Sequence, residues 1–159
     1  MKMTVDPETR FGIKTQARQG PSTLAQKYSL VAGVVYLVFG VIGFFRTGIS
    51  GGTGMMNDML FGTFMINPFH NVVHVTVGLL WLLGALALSA AGTEGLNIAL
   101  GAFWALTTVL GFLGYLGALA VMSGTTPDTF LHLGTAVITL IFGTGLIRAF
   151  RNGDRPAAA

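Results

Sequence analysis

Four apolar runs, separated by glycine, proline or a few polar residues, set the pattern of this chain. The first extends from Tyr28 to Phe45 without a charge, and a helix of that length rises roughly 27 Å, close to the ~30 Å hydrocarbon core of a bilayer. Arg46 ends it, and a glycine-rich connector follows from Thr47 to Gly54. Residues 55–66 are apolar again but too short to span, and they carry Asp58, so they read as an interfacial or re-entrant segment. Asn67-Pro68 is a turn signal and a helix entrance. A second span is expected over Phe69–Ala91, a tight connection at Gly92–Gly95, and a third span over Leu96–Met122. A turn at Ser123–Asp128 leads to a fourth span over Thr129–Phe150. The third run exceeds the bilayer core and implies tilt or an exposed end.

Composition agrees with lipid as the solvent. Hydrophobic residues make up 52% of the chain and charged residues 9%, against about 25% charged in a soluble domain. Lys2, Arg10, Lys14, Arg18 and Lys27 precede the first span, Arg148, Arg151 and Arg155 follow the last, and Arg46 alone lies between. Basic residues flanking apolar spans anchor them on the cytoplasmic side, so both termini are expected inside and the segment 46–68 and turn 123–128 outside. The same clustering in a soluble chain would suggest nucleic acid; here it does not. The expected organisation is a polar cytoplasmic tail over 1–26, a four-helix transmembrane domain over 27–150 and a second polar tail over 151–159. The fold class is all-α, a four-transmembrane-helix bundle with a short outer interfacial segment between the first two helices, in the plasma (inner) membrane. The polar start offers no apolar core for a cleavable leader, so the first span is expected to serve as its own targeting signal. Ser22 or Thr23 is placed to cap the first helix.

The chain has no cysteine, which excludes disulfides, thiolate metal sites and cysteine nucleophiles. It has 23 glycines. Gly101 with Ala105 and Gly114 with Ala118 form small-xxx-small pairs that allow close helix approach, within the bundle or in a homo-oligomer. The second and fourth helices open alike, N-P-F-H-N-V-V-H and T-P-D-T-F-L-H, a weak echo consistent with duplicated helix pairs.

The three histidines are the candidate chemistry. His70 and His74 stand at i and i+4 on one helix face, and His132 opens the fourth helix. With both helices entering from the outer face, all three imidazoles fall at a similar outer depth. Three imidazoles at one level can hold zinc, copper, nickel or iron. Asp58 or Asp128 could add a carboxylate, and Met55, Met56, Met59 and Met65 lie in the same outer segment, where thioethers would favour Cu(I). A second arrangement uses His74 and His132 as axial haem ligands. The alternative is purely structural, the histidines hydrogen-bonding Asn71, Thr76, Asp128 or Thr135 across helices. No carboxylate or cation lies in mid-span, which disfavours a pump. Thr107, Thr108, Thr139 and Thr144 can bond their own i−4 carbonyls. No phosphate loop, G-x-S-x-G or H-E-x-x-H is present, and no enzymatic activity is expected.

The openings N-P-F-H-N-V-V-H-V-T-V-G and D-T-F-L-H-L-G resemble a domain-of-unknown-function family of small four-helix membrane proteins frequent in actinobacteria. Asn67, Pro68, His70, Asn71, His74, Gly78, Asp128 and His132 carry the likeness, over about residues 27–150. The resemblance implies a four-helix bundle in the plasma membrane and no particular activity. The reading from sequence is a structural or accessory membrane subunit, self-associating or part of a larger membrane complex, with the bilayer as its surroundings. A metal- or haem-binding protein built on His70, His74 and His132 is the alternative, and a small transporter or pore the second.

Overall fold

A computed structural model of the chain describes residues 9–10, 13–14, 22–50, 58–121 and 123–147. Most of the two polar tails, including Arg148, Arg151 and Arg155, and Met55 and Met56 lie outside the described residues. The described chain is mostly helical. In order it comprises two short antiparallel strands, β1 (Thr9–Arg10) and β2 (Ile13–Lys14), then α1 (Leu24–Thr47), and a hairpin of β3 (Asp58–Leu60) and β4 (Phe64–Ile66). There follow α2 (Pro68–Leu86), α3 (Ala90–Phe112), a 3-10 helix (Tyr115–Leu119) and α4 (Pro127–Gly143). Helices α1, α2 and α3 are long and apolar enough to cross a membrane; α4 is apolar and shorter, at 17 residues.

Side-chain distribution is inverted relative to a water-soluble protein. Val31, Val34, Val38, Val72, Leu79, Leu83, Leu106, Val109, Val137 and Ile138 are all exposed. Apart from Trp81 and Trp104, the largest fully buried side chains are polar: Asn67, Asn71, Asn97, Thr93, Thr129, Thr139, Asp128 and Ser29. An exposed apolar surface of this extent would drive association in water, whereas in lipid it is the solvated face and polar groups turn inward to find partners. Those partners join the helices. Asn97 Oδ1 accepts from Trp81 Nε1 at 3.1 Å and from Ser29 Oγ at 3.0 Å, linking α3 to α2 and α1. Tyr36 and Tyr28 of α1 bond Thr135 and Thr139 of α4. Thr107, Thr108, Thr139 and Thr144 each donate to the i−4 carbonyl, as their setting in apolar helices predicts.

Helix α1 packs along α2, and α3 along α4. Glycine sets the first contact: a Cβ added at Gly78 would lie 2.6 Å from the Leu37 amide nitrogen, and one at Gly33 would lie 2.9 Å from the Gly78 carbonyl oxygen. The α3–α4 contact is made at Gly101, whose added Cβ would meet Leu140, and at Gly143, whose added Cβ would meet Ile98. The other expected small-residue pair, Gly114 with Ala118, plays no such part. Gly114 has φ +84 and open space where a Cβ would be, and the helix has already ended there.

Several boundaries differ from those expected. Thr23, not Ser22, caps α1 in a reciprocal capping box with Gln26. The Gly92–Gly95 segment is helical, not a turn, because Ser89 accepts from the Gly92 amide and the Thr93 hydroxyl donates to the Gly84 and Ser89 carbonyls. The reversal falls instead at Ala87–Ser89. The long third run breaks at Gly114 and continues as the 3-10 helix, so it is not one continuous helix. The fourth helix begins at Pro127 and ends at Gly143, ahead of Gly145 at φ +70. Of the segment 55–66, expected as interfacial or re-entrant, the described part 58–66 is a β-hairpin: Phe61 and Gly62, both at positive φ, reverse the chain. Arg46, at the end of α1, pairs with Asp58 at 3.0 Å and holds the hairpin there.

Candidate functional site

The site lies where α2 and α4 begin. Each entrance is built the same way, with a side-chain cap followed by proline at the first helical position, where the missing N–H costs nothing. Asn67 Oδ1 accepts from the His70 amide at 2.7 Å, and its Nδ2 donates to the carbonyls of Leu119 and Ala120, both at 3.0 Å. One side chain thereby starts α2 and ties it to the end of the 3-10 helix. Thr126 Oγ1 caps α4, accepting from the Thr129 amide. Asn71 Nδ2 donates to Thr47 Oγ1 at 2.8 Å, fixing α2 against the end of α1.

These entrances bring His70, His74 and His132 together. One ring nitrogen from each lies within 4.8 Å of the others, and all three residues are buried. His70 Nε2 stands 3.0 Å from His74 Nε2. His70 Nδ1 lies 3.2 Å from the Met65 carbonyl, so that nitrogen carries the proton and leaves Nε2 with its lone pair directed at the cluster. Among the described residues, His132 has no hydrogen-bond partner at either ring nitrogen. Its ring stacks on Trp104, with centroids 4.7 Å apart, while Tyr36 packs against His74 at 5.0 Å.

Of the expected additional ligands, Asp128 belongs to the site. It is buried, its Oδ1 lies 3.9 Å from His132 Nε2, and its Oδ2 has no hydrogen-bond partner among the described residues. Its place in the first turn of α4 sets it in the favourable field of the helix N-terminus. Asp58 is elsewhere, paired with Arg46 at the surface. The amide of Met59, and then Arg46, hold its carboxyl below the usual carboxylate range. Met65 reaches the site through its backbone carbonyl, and Met59 stands opposite it in the hairpin. Asn71 and Thr135, considered as histidine partners, are bonded to Thr47 and Tyr36 instead.

Two cavities flank the cluster. One of about 70 Å³ lies under the hairpin, between Leu60, Phe64, Tyr36, Asp128 and the pair His70 and His74. The other, about 210 Å³, lies between α2, α3 and the 3-10 helix and reaches His70, His132 and Trp104. Tyr36 and Trp104, which pack on the histidines, went unrecognised as contributors in the sequence, as did Asn97 in the helix-joining network away from the site. For Asn97 a signal existed, since an amide in an apolar span is rare for the same reason that a histidine is. The aromatic pair carries no such mark among 12 phenylalanines and other rings.

Fold and site together define a mostly helical protein with helices of membrane-crossing length and a buried histidine cluster at two helix entrances. The chain belongs to the family described as a domain of unknown function (DUF4383), which it matches over residues 26–145. Neither the curated proteins nor the solved structures yield a match.

Proposed function

We propose that this is a four-span plasma-membrane protein, both termini cytoplasmic, that binds one transition-metal ion through His70, His74 and His132 near the outer face. The observation that carries the reading is His132. A structural histidine inside a membrane protein is kept by its hydrogen bonds, and His132 has none. An unpaired buried polar group is costly, and Asp128 Oδ2 beside it is unpaired too. A cation among three neutral imidazoles accounts for both. The His70–Met65 contact supports it, since a metal-bound imidazole usually donates its other N–H to a carbonyl or carboxylate.

Three imidazoles leave a fourth position open in a tetrahedral site, as in catalytic zinc centres, and Asp128 stands near enough to fill it or to orient a water there. Zinc, copper, nickel and iron all suit imidazole. Zinc needs the least rearrangement, because it takes tetrahedral geometry without electronic preference. A haem between His74 and His132 fits less well, as the flanking cavities of about 210 and 70 Å³ are smaller than the ~300 Å³ at which drug-sized ligand sites begin. The topology rests on the flanking charges and on α4, which at 17 residues rises roughly 26 Å and serves as the fourth span.

Elemental analysis of protein purified in mild detergent without chelator tests the metal. Near-stoichiometric metal in the wild type, lost in His74→Ala and in His132→Ala, supports it. A metal-free protein that takes up no zinc, copper, nickel or iron on titration defeats it and returns the histidines to a structural role in an accessory or self-associating subunit.

A further inference from the structure

The larger cavity beside the histidines has a chemistry of its own. Its walls are apolar side chains of α2, α3 and the 3-10 helix, such as Phe69, Val73 and Leu110. Phe103 and Leu106 belong to the lining and are themselves exposed on the apolar outer surface of α3, so the cavity opens sideways, toward lipid. Its floor differs. Trp104 and His132 are 1% and 2% exposed, and both line the cavity. Trp104 Nε1 and both ring nitrogens of His132 are buried without a hydrogen-bond partner among the described residues.

We propose that this cavity binds a lipid-phase molecule with a ring-sized apolar body and one hydroxyl group, a phenol or cyclic alcohol, held at Trp104 and His132. Size sets the body: about 210 Å³ exceeds the ~150 Å³ cavity that takes up a single benzene ring. The unpaired atoms set the polar group. Trp104 Nε1 can only donate, and neutral His132 has one donor and one acceptor nitrogen. A hydroxyl accepts from the indole and donates to the imidazole, so one oxygen serves both residues. A lipid acyl chain would fill the space and leave the N–H groups unpaired. The proposal does not depend on a metal. If one nitrogen of His132 faces an ion, the other still carries a proton with no acceptor among the described residues, and the same hydroxyl oxygen accepts it.

The full-length protein in phosphatidylcholine nanodiscs, with 2-naphthol and naphthalene as probes and empty nanodiscs as the partition blank, tests this by equilibrium dialysis. The expected result is saturable binding of one 2-naphthol per chain, roughly three- to tenfold tighter than naphthalene, the increment of one hydrogen bond. Trp104→Phe, which keeps the ring and removes the donor, should bring 2-naphthol down toward naphthalene. Val73→Phe, which narrows the cavity, should remove saturable binding of both probes while metal content, measured on the same sample, is unchanged. Conversely, a wild type that takes up no zinc, copper, nickel or iron yet still binds 2-naphthol would defeat the metal reading alone. Uptake of 2-naphthol that rises linearly and matches empty nanodiscs overturns the proposal, and so does equal affinity for the two probes. Both of those outcomes are read on the wild type and need no variant to fold.

Discussion

Replacing Gly78 with alanine probes the packing that positions the histidines. Gly78 lies one turn beyond His74 on α2, against α1. The new methyl would stand 2.6 Å from the Leu37 amide nitrogen and 3.0 Å from both the Gly33 carbonyl oxygen and Leu37 Cα. Nonbonded heavy atoms settle near 3.5–4.0 Å, so α1 and α2 must separate by about 1 Å. All three obstacles are backbone, and no flexible side chain can move aside. Overpacking of this kind costs about 1–3 kcal/mol, and the inflexible neighbours argue for the upper half. At roughly 2–4 °C per kcal/mol for a chain of this size, the midpoint should fall by about 4–12 °C. Gly95→Ala and Gly134→Ala are the controls, since an added Cβ at either meets nothing within 4 Å. In a helix these should be neutral or stabilising by up to ~1 kcal/mol. Thermal unfolding of the three variants in one detergent, followed by circular dichroism, makes the comparison. If Gly78→Ala melts with Gly95→Ala, the close α1–α2 contact is not what holds the pair, and the reasoning fails.

Two further predictions address the hairpin and the topology. Because the Met59 amide, and then Arg46, lower the folded-state pKa of Asp58, these contacts contribute stability that is complete above the ordinary carboxylate pKa of about 3.9 and lost as pH falls through the lower folded value. The difference in melting midpoint between wild type and Asp58→Asn should therefore be flat above about pH 5 and shrink below about pH 4; a difference that grows on acidification would contradict this. As the chain has no cysteine of its own, single cysteines at Ser50 and Thr125 should react with an impermeant reagent in intact cells, and those at Thr15 and Asn152 should not. The reverse pattern would overturn the orientation.

The helices and the histidine cluster were legible in the sequence for the same reason. Long apolar runs have few ways to be satisfied, and a histidine or asparagine within them must face inward. Two proline-marked entrances on the same side were enough to bring His70, His74 and His132 together. Helix ends were less legible because capping competes with glycine signals: at Ser89 a side-chain cap and the Thr93 hydroxyl carry the helix through Gly92 and Gly95. The hairpin was missed because three-residue strands leave too short an alternation to read, and its turn uses Phe61 at positive φ, where sequence patterns look to glycine or asparagine. The glycines of α1 and α2 that mediate the closest helix approach are spread over two helices, and their pairing is visible only in the packed structure.

X-ray absorption at the edge of the bound metal reads the proposed three-imidazole site itself. The expected spectrum has a first shell of nitrogen and oxygen only, at ~2.0–2.1 Å if the metal is zinc, with the outer-shell scattering of three imidazoles, reduced to two in His132→Ala if any metal remains. A sulfur shell at ~2.3 Å, or a shell with no imidazole scattering, would contradict it.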